Sequence, residues 1–398
     1  MVDFSVRAPS SRRFSPKTKQ DDQKLVDLVR RLRPTEPLHI LYPDRLSARA
    51  KEFIRGFSGG TVMYAVKCNP NPDVIKTLAQ AGITTFDAAS IEEVRLVRRL
   101  APHATIHFMH TVKSREAIRE AYFQHGVRVF VVDTQDELRK ILAETNLAHD
   151  LTIFIRLALP KNKKAATDFS IKFGAHTQDA VALLRDARVV ARKLGVMFHP
   201  GTQSSDASAF VRGIAHAGKI IRTAGVAVEA LDVGGGFPAP YPGRKIMPLH
   251  AYMSAIASAV AAEKLGDLEL FCEPGRALVA EAADLVVRVE LVRGDALYLN
   301  DGLYGGMIEM TPALGSFVYP LTHVPKDPRM SGVGSVPMPF RFCGPTCDSY
   351  DMITGPFFLP GTIAEGDWIV LSMTGAYSQS CRTHFNGFGA KHMVYRGE

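Results

Sequence analysis

The 398-residue chain is poor in cysteine: it has five, an odd number. They are Cys68, Cys272, Cys343, Cys347 and Cys381. A disulfide-stapled secreted scaffold is usually short and evenly paired, so reduced thiols in a cytoplasmic protein are expected. Also missing is any run of roughly 18 apolar residues, the length a membrane-spanning helix needs. The first residues carry no apolar core of the secretory kind, so no secretory signal is expected. Their Ser/Arg-rich composition has something of a transit peptide, but Asp3, Asp21 and Asp22 argue against one. No internal repeat and no low-complexity segment is visible.

What is present is ordinary globular material, 46% hydrophobic and 22% charged. The length suggests two to three domains at about 150 residues each. The formal net charge is +8. Residues 1–33 hold nine basic side chains against four acidic ones, so +5 of the excess sits there. A basic groove across the body is not indicated, and no nucleic-acid partner is expected.

Residues 1–36 read as a polar arm with a short helix from about Asp21 to Leu32. This arm is expected to join a later β-domain. Eight strand-like runs follow: Val62–Lys67, Thr84–Asp87, Thr105–Met109, Val127–Val132, Leu151–Leu157, Gly195–His199, Ala230–Val233 and Leu268–Cys272. Helical patterns lie between them, including Asp73–Gln80, Ile91–Leu100, Ser114–Gln124, Gln135–Thr145 and Asp179–Leu194. Strands alternating with helices imply parallel βαβ units. Eight units predict an α/β fold, a (β/α)8 barrel over residues 37–277. An open doubly wound sheet is the alternative, weakened because no G-x-G-x-x-G follows the first strand. Residues 278–398 lose the helical period. Val286–Leu297 and Trp368–Met373 read as strands of a β-domain.

Barrel active sites lie just past the strand ends. Here those positions are polar: Lys67, Asp87, Arg156, His199, Gly234-Gly235-Gly236 and Glu273-Pro-Gly-Arg276. A lysine at the end of an apolar strand projects into a partly desolvated site, which would lower its pKa and make it a nucleophile. The plain alternative is a lysine that snorkels to the rim. Three glycines let backbone N–H groups approach an anion, or simply form a tight turn. Arg276 could add a bidentate charge to the same anion. A lysine with a phosphate cradle suggests pyridoxal phosphate, with Glu273 as the partner of its ring nitrogen. His199 could lie against the ring face or be a hydrogen-bonded core histidine. Cys343 and Cys347 have poor zinc spacing, so no metal is expected.

Taken together, Tyr64-Ala-Val-Lys67-Cys-Asn69 resembles the cofactor-lysine motif of the ornithine/diaminopimelate/arginine decarboxylase family, barrel-type pyridoxal-phosphate enzymes. The likeness continues in order through Phe86-Asp87-Ala-Ala-Ser90, Glu93, Lys172-Phe-Gly174 and Phe198-His199. It runs on through Leu231-Asp-Val-Gly-Gly-Gly-Phe-Pro238, Glu273-Pro-Gly-Arg276 and Gly344-Pro-Thr-Cys347-Asp348. It ends with Gly375-Ala-Tyr377 and Phe385-Asn-Gly-Phe388. The resemblance implies that Lys67 binds the cofactor, His199 stacks on its ring and Glu273 meets its nitrogen. Gly235, Gly236, Arg276 and Tyr377 would hold the phosphate, with Thr202 where the family often has Ser. Asp87, Arg156 and, less clearly, Glu93 would line the site. Cys347, as proton donor, and Asp348 would come from the second subunit of a homodimer.

The reaction so implied is α-decarboxylation of a basic diamino acid, ornithine ahead of lysine, in polyamine biosynthesis. Ornithine-type members carry an aromatic-Asp pair after Asp-Gly-x-Tyr-Gly. Here Asp301-Gly-Leu-Tyr-Gly305 is followed by Ile308-Glu309. Glu309 and Asp348 are therefore the candidate substrate contacts. Alternatives are a modified or different amino acid, a racemase of the same fold, or a non-catalytic cofactor-binding homologue.

Overall fold

The computed structural model describes residues 19–159, 172–330, 336–389 and 392–397. The basic residues Arg7, Arg12, Arg13 and Lys17 of the arm lie outside them. The chain begins with helix α1 (Lys19–Leu32), strand β1 (Leu38–Leu41) and helix α2 (Pro43–Gly56). Eight parallel strands then close into a barrel: β2 (Gly60–Ala65), β3 (Thr85–Ala88), β4 (Thr105–Phe108), β5 (Val129–Val132), β6 (Thr152–Arg156), β7 (Lys193–Met197), β8 (Ala230–Asp232) and β9 (Glu269–Cys272). Between them run α3 (Pro72–Gln80), α4 (Ile91–Leu100), α5 (Arg115–Phe123), α6 (Gln135–Glu144), α7 (Thr177–Val190), α8 (Ser208–Ala224) and α9 (Leu249–Ala262).

Helix starts are written into the sequence. Asn71, Ser90, Ser114 and Thr134 each accept a backbone N–H of the first turn. Such caps satisfy amides that would otherwise be orphaned. The barrel interior is filled by Met109, Val131, Phe154, Met197 and Phe271. Gly195 is required there, because a Cβ would meet the Phe154 ring at 2.4 Å. The expected helix to Leu194 stops at Val190 instead. Ala191 is already extended, and Lys193 pairs with Thr152 as the first residue of β7. The apolar spacing runs unbroken through that boundary, which hid it.

After the one-turn α10 (Arg276–Val279) come β10 (Ala283–Arg293), β11 (Ala296–Leu299), β12 (Leu321–Val324), β13 (Pro337–Cys343), β14 (Met352–Pro360), β15 (Trp368–Ser372) and β16 (His392–Tyr395). They form one sheet in the order β12-β15-β10-β11-β13-β14. The single run expected over Val286–Leu297 is two antiparallel strands, turned at Gly294 with φ 59°. β1 also belongs to this sheet, antiparallel to β10 and parallel to β16. The expected barrel start at residue 37 is therefore too early. Leu25 and Val29 of α1 pack with Ile40, Val286, Trp368 and Val370. Burying each such side chain contributes about 1.5–3 kcal/mol.

The barrel unit takes residues 46–240 and 244–278. The sheet unit takes 241–243, 279–398 and the segment up to Arg45. Among the described residues no helix is long and apolar enough to cross a membrane.

Candidate active site

Lys67 lies two residues beyond β2, in a 3-10 turn over Val66–Cys68. The strand therefore ends at Ala65 rather than at the lysine. Val66 and Cys68 are buried on either side, which sends Lys67 toward the barrel mouth. Its Nζ is 3.5 Å from Asp87 Oδ2, on the neighbouring strand β3. Solvent reaches 43% of the Lys67 side chain, against 2% for Asp87. The expected fall in the lysine pKa does not occur. The charge of Asp87 outweighs desolvation, Glu273 and Glu93 add to it, and the pKa is raised.

Glu93 sits in the first turn of α4, its Oε2 accepting the Ala89 N–H at 2.7 Å. Burial pushes its carboxyl up to about 7. Arg156 ends β6 and lies over the Phe173 ring, 5.0 Å from its centroid. Burial lowers its pKa, and Glu273, Asp133 and Asp87 oppose that fall.

His199 follows β7, and its Nδ1 accepts the Gly201 N–H at 3.2 Å. Burial, then the charges of Lys67 and Arg156, hold the imidazole pKa well below its usual value. The ring is neutral near pH 7 and carries its proton on Nε2. The glycine turn after β8 is pressed against this loop. A Cβ on Gly235 would lie 2.9 Å from His199 Nε2, and one on Gly236, at φ 92°, 2.1 Å from Gly201 O. No residue but glycine fits either place.

Glu273 follows β9 and is 3% exposed. Its Oε1 has no hydrogen-bond partner. Burial, then Asp232 and Asp87, push its carboxyl well above the usual range. Asp232, the last residue of β8, was not singled out from sequence. It is fully buried and raised to about 7 by desolvation. Its Oδ1 accepts the Gly234 N–H at 2.8 Å. The available signal was a carboxylate two residues before three glycines. Arg276 Nε reaches Thr202 Oγ1 at 3.5 Å, joining two residues expected at one anion.

The remaining expected residues lie in the sheet unit. Tyr377 takes a left-handed backbone, φ 61°, which is strained for a bulky residue. Glu309 is buried in a 3-10 turn, Ile308–Met310. Exposed Cys347 donates its N–H to Asn386 Oδ1 at 3.2 Å. Asp348 accepts the Tyr304 hydroxyl, which holds its carboxyl below the usual range. Asp351 ties this loop down: its carboxylate accepts Leu303 N–H at 2.7 Å, Thr346 N–H at 3.2 Å and Thr346 Oγ1–H at 2.8 Å.

Pyridoxal phosphate asks for an amine, an anion cradle and an acidic partner for its ring nitrogen. The barrel mouth supplies Lys67, the glycine turn with Thr202 and Arg276, and Glu273 with its orphaned buried oxygen. These residues fit the group.

Comparison with known proteins gives the same answer. Residues 44–280 match the family described as pyridoxal-dependent decarboxylase, pyridoxal binding domain. A lysine/ornithine decarboxylase of Selenomonas ruminantium is 29% identical, covering 92% of this chain and 91% of its own. The decarboxylase flvG of Aspergillus flavus is 33% identical over 82% of this chain and 77% of its own. The crystal structure of lysine/ornithine decarboxylase from Vibrio vulnificus complexed with cadaverine is 28% identical, with a TM-score of 0.81. That likeness covers 96% of this chain and 100% of that one. The chain thus belongs to the pyridoxal-dependent decarboxylase family and is a pyridoxal-phosphate-dependent amino-acid decarboxylase.

Proposed function

We propose that the protein removes the α-carboxylate of a basic diamino acid, ornithine ahead of lysine, giving a diamine and carbon dioxide. The observation that carries this reading is the Lys67–Asp87 pair beside the buried Glu273 carboxyl at the barrel mouth. The names of the similar proteins, lysine/ornithine decarboxylases among them, support a basic substrate.

When bound, pyridoxal phosphate draws electron density from the α-carbon as carbon dioxide leaves. The protein's part is assigned as follows. The Lys67 amine would hold the cofactor. Neutral His199 covers one ring face and keeps water from it. Glu273 meets the ring nitrogen. Gly235, Gly236, Thr202, Arg276 and Tyr377 hold the phosphate, and Arg156 lines the site with Asp87. The partner subunit's Cys347 gives its thiol proton to the α-carbon. Glu309 and the partner subunit's Asp348 receive the distal ammonium between them.

A homodimer follows from this assignment, because each site then draws a loop from a second copy. Exposed Tyr350 and Met352 flank that loop, and such apolar surface suits a protein neighbour. The five free thiols suit a reducing cytoplasm, and a diamine product suits polyamine synthesis.

The test is a screen of amino acids for amine and carbon dioxide. Ornithine and lysine should give stoichiometric diamine and gas. Racemised substrate without gas, or gas only from a neutral amino acid, overturns the proposal.

A further inference from the structure

The end of β8 and the end of β9 place two carboxyl groups together below the barrel mouth. Asp232 and Phe271 are register partners, and Glu273 N–H donates to Gly234 O at 2.9 Å. Asp232 Oδ1 is used by the Gly234 N–H. The oxygens left over, Asp232 Oδ2 and Glu273 Oε1, are both buried and both lack a hydrogen-bond partner. Two carboxylates face each other there as acceptors, with no donor between them.

Bulk solvent does not reach the pair, since Asp232 is fully buried and Glu273 is 3% exposed. Two adjacent buried anions are also far more costly than one. The surrounding charge does not remove the problem. Asp87 adds a third carboxylate from β3 and Glu93 a fourth from α4. Among the described residues, Lys67 and Arg156 are cations that act on this group. Neutral His199 and the thiol of Cys272 add no positive charge. One proton placed between the two orphaned oxygens supplies the missing donor and removes the excess charge.

We infer that Asp232 is a positioning residue, whose carboxyl shares a single proton with Glu273 and so sets the charge that Glu273 presents to the cofactor's ring nitrogen. This deepens the reading of Glu273 given above and rests on it. In this arrangement the pair carries one negative charge, enough to match one protonated ring nitrogen. Asp232 also anchors the glycine turn, so one carboxyl ties the ring-nitrogen end of the site to its anion end.

The first test is infrared spectroscopy of the full-length, cofactor-loaded protein near pH 7. A protonated-carboxyl stretch should be present. Glu93→Gln separates the share of Glu93 from that of the pair. The remaining band should vanish in both Asp232→Asn and Glu273→Gln, since either change removes the shared proton. No remaining band in Glu93→Gln, or a band that survives Asp232→Asn, overturns the inference. The wild-type spectrum needs no Asp232 variant to fold, and absence of any band there is decisive by itself.

The second test is the pH dependence of pyridoxal phosphate affinity. One linked proton changes Kd by up to about tenfold per pH unit. That slope should appear around pH 7 in the wild type and flatten in Asp232→Asn. An equal slope in both proteins overturns the inference. Glu273→Gln separates the two claims. Unchanged cofactor affinity and absorbance in that variant removes Glu273 from the ring nitrogen, whatever the infrared band shows of the pair.

Discussion

Lys67 Nζ and Asp87 Oδ2 stand 3.5 Å apart, and the carboxylate decides the lysine's charge state against desolvation. Asp87→Asn keeps the shape and removes the charge. The Lys67 pKa should then fall, because burial and Arg156 are left less opposed. The pH profile for capture of pyridoxal phosphate should move to the acid side. An unmoved profile means that Asp87 does not govern the amine.

Lys67→Ala removes the amine placed beside Asp87. Cofactor absorbance bound to the protein should disappear, and turnover should fall by at least about a thousandfold, as when one member of a concerted site is deleted. Persistent decarboxylation would mean that another group carries the cofactor.

Glu93 titrates at about 7 because it is buried, above its ordinary carboxyl range. Its folded-state pKa is raised, so the folded chain binds this proton more tightly than the unfolded chain. The associated stability is present at low pH and is lost as pH rises from the ordinary carboxyl range through about 7. Glu93→Gln should flatten that part of the stability–pH curve in the cofactor-free protein, by at most about 2 kcal/mol once solvent screening is allowed for. Urea unfolding at several pH values measures it. An unchanged slope removes Glu93 from the account.

Asp351 is 4% exposed and accepts three hydrogen bonds from two segments. Asp351→Ala leaves those donors without their partner and should cost about 2–4 kcal/mol. It should also make the Cys347–Asp348 loop easier to cleave by protease. Wild-type unfolding and cleavage would show that the loop is held by other means.

Glu309 is buried where the ornithine-type pattern has a shorter acid. Glu309→Asp withdraws the carboxylate by one methylene and enlarges the space before it. The ratio of kcat/KM for lysine over ornithine should rise by about tenfold, the usual worth of one methylene. An unchanged ratio places Glu309 away from the distal amine.

The barrel was legible because each parallel strand is a short apolar run ended by a polar residue. Lys67, Asp87, Arg156 and His199 stand at or just past such ends. Boundaries were less legible wherever the apolar spacing ran on. The turn at Gly294 and the break at Ala191 interrupt runs that look continuous. β1 was not among the expected strands, and residues 38–41 fell inside the expected barrel range, because its partners lie about 250 and 350 residues downstream. Burial is invisible in sequence, and burial is what sets Asp232 apart; the closeness of Asp87, which turns the Lys67 pKa upward instead of down, is equally invisible there.

The pairing of β1 also bears on synthesis. A chain leaves the ribosome from its N-terminal end, and domains fold as their residues emerge. β1 is made before every strand of the barrel, yet it needs β10 on one side and β16, about 350 residues later, on the other. The barrel residues between them can close while β1 is still waiting. The sheet unit is therefore completed only after β16 has been made and has left the ribosome. A chain stopped before β16 would hold a formed barrel and an unsatisfied strand edge, a ready substrate for chaperones or for aggregation.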